Sequence, residues 1–171
     1  MDLADTLEKD LARIIGFTNN CDSKSSIVLG SVLAAVSLIL GLSGKDMVNI
    51  LTSSEILVMA LIAALLLLSV STLILGIVNI LYSLKARLNP SKYVDDSTSI
   101  YFGKIAKLSL EDYRESVTCR NEQSYISDLT AQIHTCSIIC QEKYKYYNKG
   151  LKYSVIGIGL MIVTSVIALL F

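Results

Sequence analysis

Three stretches of the chain, 25–44, 56–82 and 153–171, contain no Asp, Glu, Lys, Arg or His, and the segments between them show apolar residues at helical spacing. A helix rises about 1.5 Å per residue and the hydrocarbon core of a bilayer is about 30 Å thick, so about 20 apolar residues are enough to cross. Each stretch meets that length. The middle one is the most apolar, with 17 Leu, Ile or Val residues. Each favours insertion by about 0.3 to 0.6 kcal/mol, against small penalties from Ser69, Ser71, Thr72 and Asn79. The first is the shortest, its apolar heart running from 27 to 42, and its competing reading is a helix buried in a soluble core. A cleaved secretory leader fits poorly, because a mostly polar segment with five acids precedes the first apolar run in place of a short basic one.

The remaining segments read as helical. Leu3, Leu7, Leu11, Ile14 and Ile15 form an amphipathic stripe whose opposite face carries Asp2, Asp5, Glu8 and Asp10. Anionic lipid repels such a face, so the stripe is expected to pack on the protein itself. Asn19, Asn20, Cys21, Asp22 and Ser23 interrupt the pattern before the first span. Beyond the second span, Asn89-Pro90 is expected to end the helix, since proline disfavours helical geometry in the residue before it. A polar stretch with Asp95, Asp96, Ser97, Thr98 and Ser99 follows. Ser109-Leu110-Glu111-Asp112 reads as a capping box that starts a new helix. From 110 to 149 there is neither proline nor glycine, and Ile126, Leu129, Ile133, Cys136 and Cys140 recur at steps of three and four, a packing seam. Asn121 to Ser124 is a polar interruption, so one long helix and a helical hairpin both remain open.

These elements predict an all-α membrane protein: an amphipathic N-terminal helix over 1–24, a transmembrane hairpin over 25–82 with spans 25–44 and 56–82, a helical sensor region over 83–152, and a third span over 153–171. Composition agrees. Of 171 residues 53% are hydrophobic and 18% charged, with 15 basic and 15 acidic side chains. Charged residues make up about 25% of a typical soluble chain, so a soluble enzyme is disfavoured. Zero net charge gives no support to a nucleic-acid binder, which needs a basic face. One proline and no tryptophan suit a mostly helical chain. Lysine and arginine gather on the cytoplasmic side of membrane proteins. Three precede the first span, one (Lys45) lies between the first two, and eleven lie between the second and third. That count places the N-terminus and the central segment in the cytoplasm and the C-terminus outside it. Cys21, Cys119, Cys136 and Cys140 then sit in a reducing compartment, which argues against structural disulfides.

Catalysis needs a nucleophile with a base, a metal cluster or paired carboxylates in a pocket, and spacing reveals none of these. Cys136, Cys140 and His134 supply only three metal ligands at an unusual spacing, so no metal is expected. The spans hold no ionisable residue, which disfavours a transporter. Two constellations stand out. Tyr101-Phe102-Gly103-Lys104 with Lys107 places two aromatics, a glycine and two cations just before a helix, a combination able to stack a base and hold a phosphate. The plainer reading makes Phe102, Ile105 and Leu108 the core of a short helix and the lysines solvated. The second, from Lys143-Tyr144-Lys145-Tyr146-Tyr147 to Tyr153, reads as an aromatic belt with cationic anchors at the lipid headgroups. Within the spans, Gly30 with Ala34, Ser37 with Gly41, and Gly157 with Gly159 permit close helix approach. Without an ionisable group there is no evident water path through one copy, so a water path would need several copies, a homo-oligomer. The seam at Ile126, Leu129, Ile133, Cys136 and Cys140 is the candidate assembly surface, although packing within one chain explains it equally.

The layout, together with Asp22-Ser23-Lys24, Asn89-Pro90, Tyr101-Phe102-Gly103, the turn from Leu108 to Tyr113, and the segment from Asp128-Leu129 through Gln132-Ile133 to Lys143-Tyr144, resembles the membrane effectors of the Pycsar anti-phage systems. Relatives often carry Asp-x-Lys-Ala ahead of the first span, whereas Ser25 follows Lys24 here. The resemblance implies a bacterial inner-membrane protein partnered with a pyrimidine nucleotide cyclase. It implies cyclic CMP or cyclic UMP as activating ligand, no cofactor, and impairment of the membrane on phage infection. The chain shows none of the alternating strands that a cyclic-nucleotide-binding barrel needs, so binding would fall to the central helical segment, with Tyr101, Phe102, Gly103, Lys104 and Lys107 as the candidate site. A different reading is a passive membrane adaptor that recruits a soluble partner through its cytoplasmic helices.

Overall fold

The computed structural model describes residues 2–53, 55–85 and 100–170, and its described elements are all helices. They are α1 (Leu3–Ser53), α2 (Ile56–Leu84), α3 (Phe102–Ile105), α4 (Leu110–Thr118) and α5 (Glu122–Leu170). Three of them, α1, α2 and α5, are long and apolar enough to cross a membrane, with mean hydropathies of 2.3, 2.7 and 2.3 over their most apolar windows. At 51 and 49 residues, α1 and α5 each extend about 75 Å, far more than a bilayer core requires. Asn89-Pro90 and the polar stretch 95–99 lie outside the described residues. The second span's helix ends at Leu84, with Lys85 in an extended conformation as its cap.

One expectation about continuity is corrected and one alternative left open by the sequence is decided. Asn19 to Ser23 do not break the first helix, which runs unbroken from Leu3 to Ser53 and so joins the amphipathic tail, the first span and the residues beyond Gly44. None of the five is Gly or Pro, and each weakens a helix by well under 1 kcal/mol. Burial of Cys21 and pairing of Asp22, described below, outweigh that. Conversely, 110–149 is not one helix. It breaks at Cys119–Asn121, where Asn121 Oδ1 accepts from the Ser124 amide at 2.7 Å and restarts the chain as α5. That helix then passes through Gly150 and the expected boundary at 152 without a stop.

The chain divides into two compact units. The spanning unit comprises Cys21–Lys85 and Lys143–Phe171. Its three helices meet in successive layers. Met47 and Ile50 of α1, Ile62 of α2 and Ala168 of α5 form one cluster. Val32, Leu73 and Met161 form the next. The order of these contacts makes α1 and α5 parallel and α2 antiparallel to both. Exposed Leu, Ile and Val side chains on the outer faces, such as Leu38, Leu57, Leu67 and Val155, are the ones a lipid phase would cover. Span hydroxyls bond back to their own helix, as Ser71 does to Leu67 O and Thr72 to Leu68 O, so they add little to the cost of insertion.

Close packing between α2 and α5 rests on glycines that the sequence did not single out. A Cβ on Gly76 would lie 2.5 Å from Ser154 Oγ and 2.8 Å from its amide nitrogen, and one on Gly150 would lie 2.9 Å from the Ile80 nitrogen. Gly157 does make a close approach, 3.0 Å from the Leu73 nitrogen, but Gly30, Gly41 and Gly159 have nothing within 4 Å of a Cβ, so these three do not bring helices together within this chain. Ser69 Oγ bridges the same pair of helices by donating to Gly157 O at 3.0 Å.

The polar unit comprises Met1–Asn20 and Ala86–Glu142. In it Leu7, Leu11 and Ile14 of α1 are half-buried while Leu3 and Ile15 are exposed. Tyr125 of α5 donates its hydroxyl to Glu8 Oε1 at 2.8 Å, tying the amphipathic end of α1 to α5. The capping box forms: Ser109 accepts from the Asp112 amide at 3.1 Å and donates to the Asp112 carboxylate at 2.7 Å.

Candidate functional site

In the polar unit, the aromatic and basic cluster folds as a single helical turn. The amides of Lys104 and Ile105 both donate to Tyr101 O, at 2.9 and 3.0 Å, and Lys107 closes a further turn on Lys104 O. Tyr101, Gly103 and Lys104 are half-buried and Lys107 is exposed. Phe102 opens α3. The Tyr101 ring lies against Gly103, where a Cβ would meet it at 2.6 Å. Only glycine lets the ring settle there. The cluster therefore gathers an aromatic ring, a glycine and two lysines within seven residues. The start of α4 brings less to an anion than the sequence suggests, because Ser109 already occupies the Asp112 amide and Glu111 and Asp112 place two carboxylates in the first turn.

A second cationic place lies at the turn between α4 and α5, which spacing did not reveal. Val117, Arg120, Asn121, Glu122 and Tyr125 line an open cleft of about 330 Å³. The Arg120 guanidinium sits 5.5 Å above the Tyr125 ring, and its Nε is buried with no hydrogen-bond partner among the described residues. The hydrogen bond to Glu8 holds the Tyr125 hydroxyl above its usual pKa, with burial and the Glu8 charge adding to it.

The seam on α5 packs within the chain. Leu129 is 2% exposed, and Ile126, Ile133, Cys136 and Cys140 are half-buried. Burial pushes the Cys136 thiol above its ordinary pKa, and Gln132 donates to its sulfur at 3.7 Å. His134 is exposed beside the seam, in an open groove of about 640 Å³ that Gln123, Ile126, Ser127, Thr130, Ala131 and Thr135 also line. No group of three or more His, Cys, Asp or Glu side chains able to hold a metal comes together among the described residues.

The most connected polar cluster lies in the spanning unit and was missed by spacing, because its members are up to 122 positions apart. Lys143 Nζ bonds both carboxylate oxygens of Asp22, at 2.5 and 2.7 Å. The Lys143 carbonyl accepts from Ser83 Oγ at 3.1 Å. Ser83 Oγ in turn lies 3.1 Å from Ser25 Oγ and 3.6 Å from Cys21 Sγ. Lys143 is thus not a headgroup anchor, as the aromatic-belt reading expects, but a buried side chain held by Asp22. Lys145, Lys149 and Lys152 remain exposed, and Tyr146 packs on Tyr82 with ring centres 5.7 Å apart.

Three apolar helices packed through glycines and hydroxyls, two of which also build a polar helical unit, define a small multi-pass membrane protein. The chain matches the family model of the Pycsar effector protein domain over residues 6–171, nearly its whole length, and it belongs to that family. It is a membrane effector of a Pycsar anti-phage system. No curated protein and no solved structure matches it.

Proposed function

We propose that the protein is activated by a cyclic pyrimidine nucleotide, cyclic CMP or cyclic UMP supplied by a cognate cyclase, and that it responds by impairing the bacterial inner membrane to abort infection. The observation that carries this reading is that α1 and α5 each belong to both units, so a ligand-induced change in the polar unit reaches the spans through continuous helix. The basic residues between the second and third spans support a cytoplasmic polar unit, where a soluble nucleotide would be met, with the C-terminus on the periplasmic side. Assembly of several copies fits a bundle whose spans lack ionisable groups.

For the nucleotide, Tyr101 supplies an aromatic face and Lys104 and Lys107 supply positive charge for the phosphate. The Arg120 cleft is the weaker candidate, because Glu122 lines it and Glu8 is bonded to Tyr125 beside it. Equilibrium dialysis of the detergent-solubilised protein against labelled cyclic CMP and cyclic UMP tests the assignment. Lys104→Glu and Lys107→Glu are each expected to weaken binding by at least about tenfold, or about 1.4 kcal/mol, since a charge-assisted phosphate contact becomes a repulsion. Gly103→Ala should weaken it as well by displacing the Tyr101 ring. Unchanged binding in all three variants would move the site elsewhere.

A further inference from the structure

The cluster around Lys143 makes little sense as a device for stability alone. Its side chain is 8% exposed and faces a carboxylate that is 37% exposed, in the layer where the spanning unit begins: Cys21 follows the last α1 residue of the polar unit, and Lys143 follows its last α5 residue. Taking an ammonium out of water is unfavourable, and replacing a buried ion pair by apolar side chains is often neutral or stabilising. The best-attested use of such a pair is to fix register or to switch. Here residue 143 is gripped twice, by Asp22 of α1 through its side chain and by Ser83 of α2 through its carbonyl. Lys9 with Asp5 and Arg13 with Asp10, by contrast, pair within α1. A slide of α5 by one turn, about 5.4 Å, breaks both grips at once. The same slide takes Gly150 and Gly157 out of register with Ile80 and Leu73 and breaks the Ser69 bond to Gly157 O, so the α2–α5 contacts favour the same resting register as the ion pair.

We propose that Asp22, Lys143 and Ser83 form a latch that holds α1, α2 and α5 in their resting packing, and that its opening is the step that remodels the spanning bundle. The role assigned to that opening rests on the proposed membrane-impairing function. Cys21 provides a reporter independent of that function, because it is fully buried against Ser83 when the latch is closed.

The test uses the full-length protein in native membranes with Cys119, Cys136 and Cys140 replaced by Ala, so that Cys21 is the one remaining thiol for a membrane-permeant maleimide. With the latch intact, Cys21 should label slowly. Asp22→Asn should speed labelling about tenfold, corresponding to about 1.4 kcal/mol, and Ser83→Ala about fivefold, the equivalent of one hydrogen bond. The double variant Asp22→Asn with Lys143→Met carries no stranded charge and yet should label as fast as Asp22→Asn alone. If the double variant is protected again, the pair serves only to neutralise a buried charge and the latch is wrong. Labelling of Ser83→Ala at the unaltered rate would overturn it too, in a variant too mild to unfold the bundle. Depolarisation measured in the same cells, for the variants without a cyclase and for the unaltered protein with one, separates the two ideas. Fast-labelling variants that leave the membrane potential intact contradict the membrane-impairing function and not the latch. Protected variants beside an unaltered protein that depolarises with its cyclase contradict the latch alone.

Discussion

Gly150→Ala should destabilise the spanning unit by about 2 kcal/mol, whereas Gly159→Ala, nine positions along the same helix, should leave it unchanged or slightly more stable. Alanine improves on glycine in a helix interior by up to about 1 kcal/mol, so intrinsic propensity favours both substitutions. Packing reverses the sign at position 150. The new methyl group would lie 2.6 Å from Ile80 Cγ1, 2.9 Å from the Ile80 nitrogen and 3.0 Å from Gly76 O, and two of those atoms are backbone that cannot rotate away. Nothing lies within 4 Å of a Cβ at position 159. Forcing a methyl group into a packed contact costs about 1–3 kcal/mol, and here it must push α2 away from α5 along a whole crossing. Denaturant titration of the protein in detergent micelles, followed by the helix-packing signal, measures both variants. Equal midpoints would mean that the α2–α5 approach is looser than described.

Leu129→Asp should collapse the polar unit while leaving the three spans inserted. Leu129 is 2% exposed in that unit, and a carboxylate at such a position either pays several kcal/mol of desolvation or takes up a proton. The apolar clusters of the spanning unit draw every member from 28–77 and 158–168 and do not depend on residue 129. Limited proteolysis should therefore show rapid cleavage at Arg114 and Arg120 in the variant, together with a protected spanning fragment, and the proposed response to nucleotide should be lost. His134→Asp, on the exposed side of the same helix, should keep both protection and response. Burial of Leu129 within one chain also changes what its loss can say about assembly. Oligomers missing from Leu129→Asp would report a collapsed polar unit, so an assembly surface on α5 is better sought at exposed positions such as Ser127, Thr130 and His134.

The spans were legible because a bilayer imposes one requirement, about 20 apolar residues, that local composition satisfies or fails. The α4 capping box was legible for a similar reason, since Ser109 and Asp112 meet within one turn. What the sequence concealed depends on residues distant along the chain. The run from Asn19 to Ser23 interrupts the amphipathic pattern, yet Cys21 and Asp22 find partners at Ser83 and Lys143 that outweigh a few tenths of a kcal/mol per residue. Lys143 in a lysine- and tyrosine-rich run reads as an interfacial anchor, and only its pairing with a carboxylate 121 positions earlier shows otherwise. Glycines carry the same ambiguity. Gly157 and Gly159 are indistinguishable by pattern, and which one faces α2 is fixed by packing against Leu73 and Ser69, far away in the chain. The aromatic and basic residues at 101–107 stand out in the sequence by their chemistry, and the structure adds that Tyr101 rests on Gly103.

The most direct test of the account is leakage from sealed vesicles. Full-length protein is reconstituted into liposomes of bacterial lipid loaded with a self-quenched dye, the fraction with the polar unit facing outward is fixed by protease accessibility, and cyclic CMP, cyclic UMP or cyclic AMP is added. A membrane effector gated by a cyclic pyrimidine nucleotide should release dye with cyclic CMP or cyclic UMP and not with cyclic AMP. Release should disappear in Lys104→Glu and Lys107→Glu. Vesicles that stay sealed with both pyrimidine nucleotides, while carrying correctly inserted protein with its polar unit exposed, would contradict it.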